Sequence, residues 1–121
     1  MFKQDPIFTA MQFNQCINEQ NLKQLSDLMT DNHKLICYGN VDTEDKKTSM
    51  SAWKNFFRLY PDYRNHFNKV VLNNDFVSIA GFSSCTDENL NGPALWSAKI
   101  EENLISEWQV YEDNRKKLGL I

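Results

Sequence analysis

The segment MSAWKNFFRLYPDYR, residues 50–64, contains the point at which this chain changes from helices to strands. Its apolar side chains recur every three or four residues, which is the spacing of one face of an α-helix. Pro61 ends this helix, because the residue before a proline is pushed away from helical geometry. The stripe is the strongest periodic signal in the sequence. It consists of Met50, Trp53, Phe56, Phe57 and Tyr60.

Two further helices are predicted on the N-terminal side of this segment. Asp5 followed by Pro6 is typical of a helix start, with the aspartate as N-cap and the proline in the first turn. Asn21 and Gln24 have the capping-box spacing that precedes a second, shorter helix. The third helix, which contains the aromatic stripe, is predicted to begin after residues 48–49.

The remaining segments are predicted as strands. Most of them follow Pro61 and are separated by short polar turns, which is the pattern of an antiparallel meander. Strands of nine or ten residues are longer than usual, so strong twist and bulges are expected. Helices first and strands afterwards indicate an α+β fold, a curved antiparallel sheet wrapped around three N-terminal helices. The predicted strands are 33–39, 63–72, 76–85, 94–100 and 104–112, while 41–47 is a loop or a short edge strand.

Composition limits the classes of partner. The 121 residues fit one domain, 1–121, and the formal net charge of −3 with no basic face argues against nucleic acid. No stretch approaches the roughly 20 apolar residues of a membrane span, and the N-terminus lacks a signal-peptide pattern. Cys16, Cys37 and Cys85 are too widely spaced for a zinc site or a disulfide framework. We therefore expect a cytoplasmic domain without a membrane partner, metal or other cofactor.

Three segments resemble the nuclear-transport-factor-2-like superfamily, in particular its SnoaL-like polyketide cyclase and ketosteroid-isomerase-like branch. They are INEQNLKQLSDLMTDNH (17–33), WKNFFRLYPDYR (53–64) and LISEWQVYEDN (104–114), and they occur in the order of the family. The resemblance implies a cystatin-like α+β roll, in which the sheet and the helices form a cone around a pocket. It also implies a homodimer through the outer face of the sheet.

The catalytic residues of that family are not found at the matching positions. Ketosteroid isomerases use a tyrosine, an aspartate base and a protonated aspartic acid, and these positions align with Phe13, Cys37 and Trp96. SnoaL-type cyclases use a histidine and an aspartate on the last two strands, which align with Trp96 and Val110. Aromatic rings and a valine cannot transfer a proton, and an unperturbed cysteine is mostly protonated at pH 7. Neither reaction is therefore expected to carry over.

The same positions suggest a pocket wall instead. Strand alternation places Trp108 with Val110 and Leu35 with Cys37, and the third helix adds its own aromatic rings. One interpretation is an aromatic-lined cavity for an apolar ligand. The other is that the rings fill the cone as close-packed core. The candidate ligand-binding residues are Phe13, Leu35, Cys37, Trp53, Phe57, Asn65, Trp96, Trp108 and Val110.

Few polar residues are candidates for chemistry. Asn65 has inward alternation and could orient a ligand or bond to backbone, whereas His66 is expected on the outer face. Asp31 and His33 are interpreted as a helix end entering a strand, and they are too few ligands for a metal site. Three functions stay open: binding of an apolar small molecule without catalysis, an isomerase- or cyclase-type reaction on a hydrophobic polyketide- or steroid-like substrate, or a stress- or regulation-linked dimer whose working surface lies outside the cone.

Overall fold

The computed structural model describes residues 4–111 as three helices packed on one six-stranded sheet. The helices are α1 (Pro6–Glu19), α2 (Leu22–Asp27) and α3 (Lys46–Leu59), and a 3-10 turn spans Glu88–Leu90. The strands are β1 (Met29–Cys37), β2 (Asn40–Thr43), β3 (Arg64–Asn73), β4 (Phe76–Ser84), β5 (Gly92–Glu101) and β6 (Leu104–Tyr111). This confirms the predicted α+β class. The end of the last predicted strand, residue 112, lies outside the described residues.

The helix starts follow their capping residues. The Asp5 side chain accepts a hydrogen bond from the backbone N–H of Ile7 at 2.9 Å, and Asn21 accepts one from Gln24 at 3.1 Å, as predicted. The third helix begins earlier than expected, at Lys46 rather than after residues 48–49. Its N-cap is Asp45, which accepts from the N–H of Thr48 at 2.8 Å.

The sheet order is β2-β1-β6-β5-β4-β3. Strands β3 to β6 pair antiparallel with their neighbours in sequence, which confirms the meander. The expectation of a wholly antiparallel sheet is wrong, because β1 pairs parallel with β6. A short hairpin forces antiparallel pairing, but β1 and β6 are separated by most of the chain, so no turn fixes their relative direction. The first strand also starts at Met29 instead of residue 33.

Bulges occur where long strands were expected to need them. The β3–β4 register shifts between Phe67 and Lys69, and further shifts lie in the pairings of β1 and β6. Gly81 faces Phe67 at the first of these bulges. The β3 backbone approaches Gly81 so closely that a Cβ there would collide with the His66 carbonyl group.

The helices cover one face of the sheet, here called the inner face. Helix α1 is attached to the β3 strand at the edge of the sheet, because the Asn18 amide donates to the Asn65 carbonyl at 2.9 Å and accepts from its N–H at 2.7 Å. No helix within residues 4–111 is long and apolar enough to span a membrane. The buried apolar core between helices and sheet includes Ala10, Phe13, Ile17, Trp53, Phe57, Val77, Ile79, Trp96, Ala98, Ile105 and Trp108.

Candidate functional site

Neighbouring strands place the predicted pocket residues in rows on the inner face. Trp96 pairs with Val110, and Val110 pairs with Cys37, so these side chains share one row across three strands. Trp108 and Leu35 form the next row. The nine candidates therefore lie together on the inner side of the cone. Phe13, Trp53, Phe57, Asn65, Trp96 and Trp108 are buried, and Leu35, Cys37 and Val110 are half-buried.

The deep part of the cone is occupied by side chains. The Phe13 ring lies 4.9 Å from the Trp108 ring and 6.4 Å from the Trp53 ring, measured between centroids. Phe13 and Trp108 are at most 1% exposed. These distances are those of aromatic rings in direct contact. The interpretation of these rings as close-packed core therefore describes the deep part of the cone.

The end of the inner face that lies away from Phe13 and Trp108 is more accessible, and we call it the mouth. It comprises the half-buried Cys37, Phe67 and Val110 together with the buried Asn65 and Trp96. The rings of Phe67 and Trp96 lie 5.3 Å apart. The mouth therefore has apolar and aromatic walls with one amide side chain among them.

Cys37 and Tyr63 at the mouth are uncharged at neutral pH, and the Asp42 side chain lies beside Cys37. Burial, with a contribution from the neighbouring Asp42, raises the pKa of Cys37 to about 12. Burial also raises the pKa of Tyr63 to about 12, and the tyrosine interacts electrostatically with Cys37 and Cys85. A thiol with so high a pKa is not a nucleophile at pH 7, because the thiolate is the reactive form.

His33, the first residue of the predicted strand 33–39, lies in a strand as expected and points into the interior of the cone. It belongs to β1 and is 0% exposed, with its ring 5.7 Å from that of Phe13. Its Nδ1 is 2.8 Å from the carbonyl oxygen of Ile105. A carbonyl only accepts hydrogen bonds, so Nδ1 carries the proton and Nε2 carries a lone pair.

Four buried polar atoms have no hydrogen-bond partner among residues 4–111. They are Oδ1 of Asn14, Nε2 of His33, Nε1 of Trp53 and Oδ1 of Asn65. Buried polar atoms in native proteins are nearly always paired, so each of these atoms is a candidate contact for a bound molecule. No group of three His, Cys, Asp or Glu side chains in the described part of the chain is arranged to hold a metal ion.

Solved structures share this architecture at low sequence identity, whereas no protein-family model and no curated protein sequence matches the chain. A nuclear-transport-factor-2-like protein of unknown function from Cytophaga hutchinsonii aligns with a TM-score of 0.74 and 14% identity, over 98% of this chain and 99% of its own. A candidate SnoaL-like polyketide cyclase from Shewanella putrefaciens has a TM-score of 0.79 and 12% identity, over 98% and 88%. A computationally designed 17-OHP binder has a TM-score of 0.78 and 10% identity, over 91% and 93%.

The chain has the nuclear-transport-factor-2-like fold. In this example of the fold, the interior of the cone carries a ring or an aliphatic side chain at Phe13 of α1 and at Trp96 and Val110 of the sheet. The imidazole of His33 lies four residues before Cys37 on the same strand. Alternation along β1 could have indicated its inward direction, because residues 33, 35 and 37 share one parity. The adjacent polar residues 31 and 32 favoured a turn instead.

The burial of His33 predicts that acid destabilises the domain. Burial lowers the pKa of His33 from 6.5 to about 4, and Lys46 acts in the same direction, although the bond to Ile105 opposes it. Between these values the unfolded chain binds a proton that the folded chain does not. The free energy of unfolding should therefore reach its full value above pH 6.5, where His33 is neutral in both states. It should fall by about 3 kcal/mol as the pH decreases to 4.

Urea unfolding at a series of pH values measures this dependence. The His33→Phe variant should lose it, while His66→Asn should retain it, because His66 is exposed on the outer face, stacked on Phe82 and hydrogen-bonded to Ser84 at 2.9 Å. Equal dependence in wild type and His33→Phe would show that another group is responsible.

Proposed function

We propose that this protein binds an apolar small molecule at the mouth of the cone. The observation that supports this most is Oδ1 of Asn65, which is buried without a hydrogen-bond partner among the described residues, beside an aromatic wall. A buried, unpaired acceptor is costly, by about 1–3 kcal/mol, and a ligand N–H or O–H group would relieve that cost. The rings of Phe67 and Trp96 would contact the apolar part of the ligand.

The groups around the mouth also disfavour an anionic ligand, because the Asp42 carboxylate lies beside Cys37. Tyr63 and Cys37 have raised pKa values, so both are neutral at pH 7. Burying a charged ligand costs free energy unless a group of opposite charge pairs with it. A designed protein of the same fold is a 17-OHP binder, which supports the use of this architecture as a small-molecule receptacle.

A second candidate function is an isomerase- or cyclase-type reaction on a hydrophobic polyketide- or steroid-like substrate. Two observations favour it: the Shewanella structure is a candidate polyketide cyclase, and the Tyr63 phenol lies close to the mouth. Turnover of such a substrate by the wild-type chain would favour this reaction over simple binding. Its absence, together with measurable binding, would favour the receptacle.

A ring added at the mouth should block ligand binding. Cys37→Phe places a benzyl group on the inner face beside Val110, whereas Ile36→Phe places the same group on the outer face, one residue earlier. With 4-propylanisole as the probe, we expect Cys37→Phe to lose at least about tenfold in affinity, equivalent to about 1.4 kcal/mol. Ile36→Phe should bind within about twofold of wild type. Isothermal titration calorimetry measures both, and equal affinities in the two variants would contradict a mouth site.

We also propose that two copies pair through the outer face of the sheet. Leu95 and Tyr111 are paired across β5 and β6 and are 45% and 40% exposed, and Phe82 nearby is 41% exposed. Contiguous exposed apolar side chains of this kind are typical of protein interfaces. Sedimentation should show a dimer at micromolar concentration and a monomer for Leu95→Glu, with Lys54→Glu on α3 as the control. A monomeric wild type would contradict this assembly.

We propose the cytoplasm as the location of the protein. Cys16, Cys37 and Cys85 are free thiols, which are typical of a reducing compartment.

A further inference from the structure

We propose that the free edge of β3 binds an extended peptide segment of another protein, which would add a further strand to the six-stranded sheet. The bound segment would be apolar, with an acidic side chain where it passes Lys69. This inference concerns the edge of the sheet, so it does not depend on ligand binding at the mouth.

Strand β3 forms one edge of the sheet, because it pairs with β4 on one side and with no strand of residues 4–111 on the other. Helix α1 reaches the first part of this edge. There the N–H and C=O of Asn65 bond to the Asn18 side chain at 2.7 and 2.9 Å. Farther along β3, residues 71–73 are exposed, so this part of the edge is open to a partner.

The backbone groups of Val70 and Leu72 point outward like those of Asn65. Along an antiparallel pair, every second residue bonds to the neighbouring strand, and the residues between direct their N–H and C=O away from it. Asn65 faces Ser83 of β4, and Val70 and Leu72 face residues an even number of positions earlier on β4, so the three share one direction. No hydrogen bond from another element of residues 4–111 reaches the backbone of Val70 or Leu72. These groups can therefore receive a new strand.

The side chains along this edge are apolar. Val71 is 40% exposed and Leu72 is 42% exposed, and Val70 before them is half-buried. An exposed, apolar edge strand is a typical site for pairing with another chain. The opposite edge differs, because β2 has only four residues and contains Asp42. Short and charged edge strands resist such pairing, so β3 is the edge suited to a partner.

Lys69 indicates the charge of the partner. Its side chain is exposed and forms no ion pair within residues 4–111. Lys69 and Val71 also line one end of a groove of about 330 Å³, together with Ser78 and Ala80. A strand added beside β3 would place every second side chain on this side of the sheet, where a carboxylate would pair with Lys69 and an apolar neighbour would contact the groove.

The same lysine disfavours another copy of this chain as the partner. A lysine and a bulge on an edge strand are features by which proteins avoid pairing with their own copies. The β3 bulge lies between Phe67 and Lys69. A partner segment with a carboxylate opposite Lys69 would gain an ion pair that a second β3 strand, whose only charged residue beyond the bulge is Lys69, does not offer.

Fluorescence anisotropy with a labelled, end-capped peptide of sequence TVEVTVT tests this inference on the full chain. The peptide alternates strand-forming residues and carries one carboxylate. Wild type should bind it with a dissociation constant below about 1 mM. Replacing its glutamate with lysine should weaken binding by about threefold or more. A version with every backbone nitrogen methylated should not bind, because it cannot donate to the carbonyl groups of β3.

Two variants at one position test the edge itself. Leu72→Pro removes an outward N–H and leaves the pairing with β4 in place, since proline is tolerated where the N–H of an edge strand faces solvent. It should bind the peptide at least about tenfold more weakly, through the lost hydrogen bond and the bulk of the ring. Leu72→Thr keeps the N–H and a strand-forming side chain, so it should bind within about threefold of wild type.

Several results would overturn this inference. They are absence of peptide binding by wild type, equal affinity in the two Leu72 variants, and undiminished binding of the methylated peptide. Should Leu72→Pro not fold, the methylated peptide decides the question with the wild-type chain alone. If Leu95→Glu sedimented as a dimer that Leu72→Pro dissociates, a second copy would occupy the edge and the peptide would not be its partner.

Discussion

Replacing Gly81 with alanine is expected to destabilise the domain by about 3 kcal/mol or more. The added Cβ would collide with the carbonyl oxygen of His66, approach the His66 carbonyl carbon to 2.9 Å and approach the Cα of Phe67 to 3.1 Å. All three atoms belong to the backbone, so no side-chain rotation relieves the collision. The β3–β4 pairing would have to separate at its bulge. Chemical denaturation of wild type and variant measures the loss of stability.

Gly39 provides the matched control. It has a positive φ of 83° but no heavy atom within 4 Å of its missing Cβ. Gly39→Ala should therefore cost only the left-handed backbone strain, about 1–2 kcal/mol. If Gly81→Ala were no more destabilising than Gly39→Ala, the close approach of β3 to Gly81 would be refuted.

Removal of the Phe13 ring is expected to cost about 3–5 kcal/mol, the range observed for large-to-small changes in protein cores. Phe13 is 0% exposed and contacts the rings of His33, Trp53 and Trp108. Phe13→Ala would leave a cavity between α1 and the sheet that the surrounding rings cannot close without leaving their positions. Urea unfolding monitored by tryptophan fluorescence measures the effect.

Phe8 is the control for this substitution. It lies on the same helix and is 47% exposed, so Phe8→Ala should change the stability by less than about 0.5 kcal/mol. A similar cost for both alanine variants would mean that Phe13 is not the central contact of the core. A restored stability in Phe13→Leu would show that volume, rather than the aromatic ring, is what the site requires.

Local signals predicted those parts of the fold that local chemistry determines. Asp5 and Asn21 cap their helices because their side chains reach backbone N–H groups two or three residues later. Alternation along β5 and β6 correctly places Trp96 and Val110 on one face, because successive strand residues point to opposite faces. Pro61 follows the end of α3 for a similarly local reason.

The direction of β1 could not be predicted in this way. Its partner β6 is the last strand of the described chain, and the pairs Leu35–Trp108 and Cys37–Val110 join residues about 73 positions apart. No turn sequence records such a pairing, so the parallel arrangement emerges only from the packing of the whole domain. The early start of α3 was not predicted for a different reason. Both Asp45 and Thr48 are residue types that cap helices, and the structure uses the earlier one, Asp45.

The sequence predicted the residues that line the candidate site better than it predicted the polar atoms that lack partners there. The nine candidate residues lie on the inner side of the cone, which follows from strand and helix periodicity. His33 was not among them, because the polar residues before it favoured a turn, whereas the structure continues β1 through them. The unpaired nitrogens of His33 and Trp53 could not be predicted, since tertiary packing decides which polar atoms lack partners.

The position of a bound probe tests the central claim most directly. Intermolecular nuclear Overhauser effects between unlabelled 4-propylanisole and isotope-labelled protein can distinguish the two faces of the sheet. Trp96 and Val110 lie on the inner face, whereas the adjacent residues Leu95 and Tyr111 lie on the outer face. We predict contacts from the probe to the Val110 methyl groups and the Trp96 ring. Contacts confined to Leu95 and Tyr111 would contradict binding inside the cone.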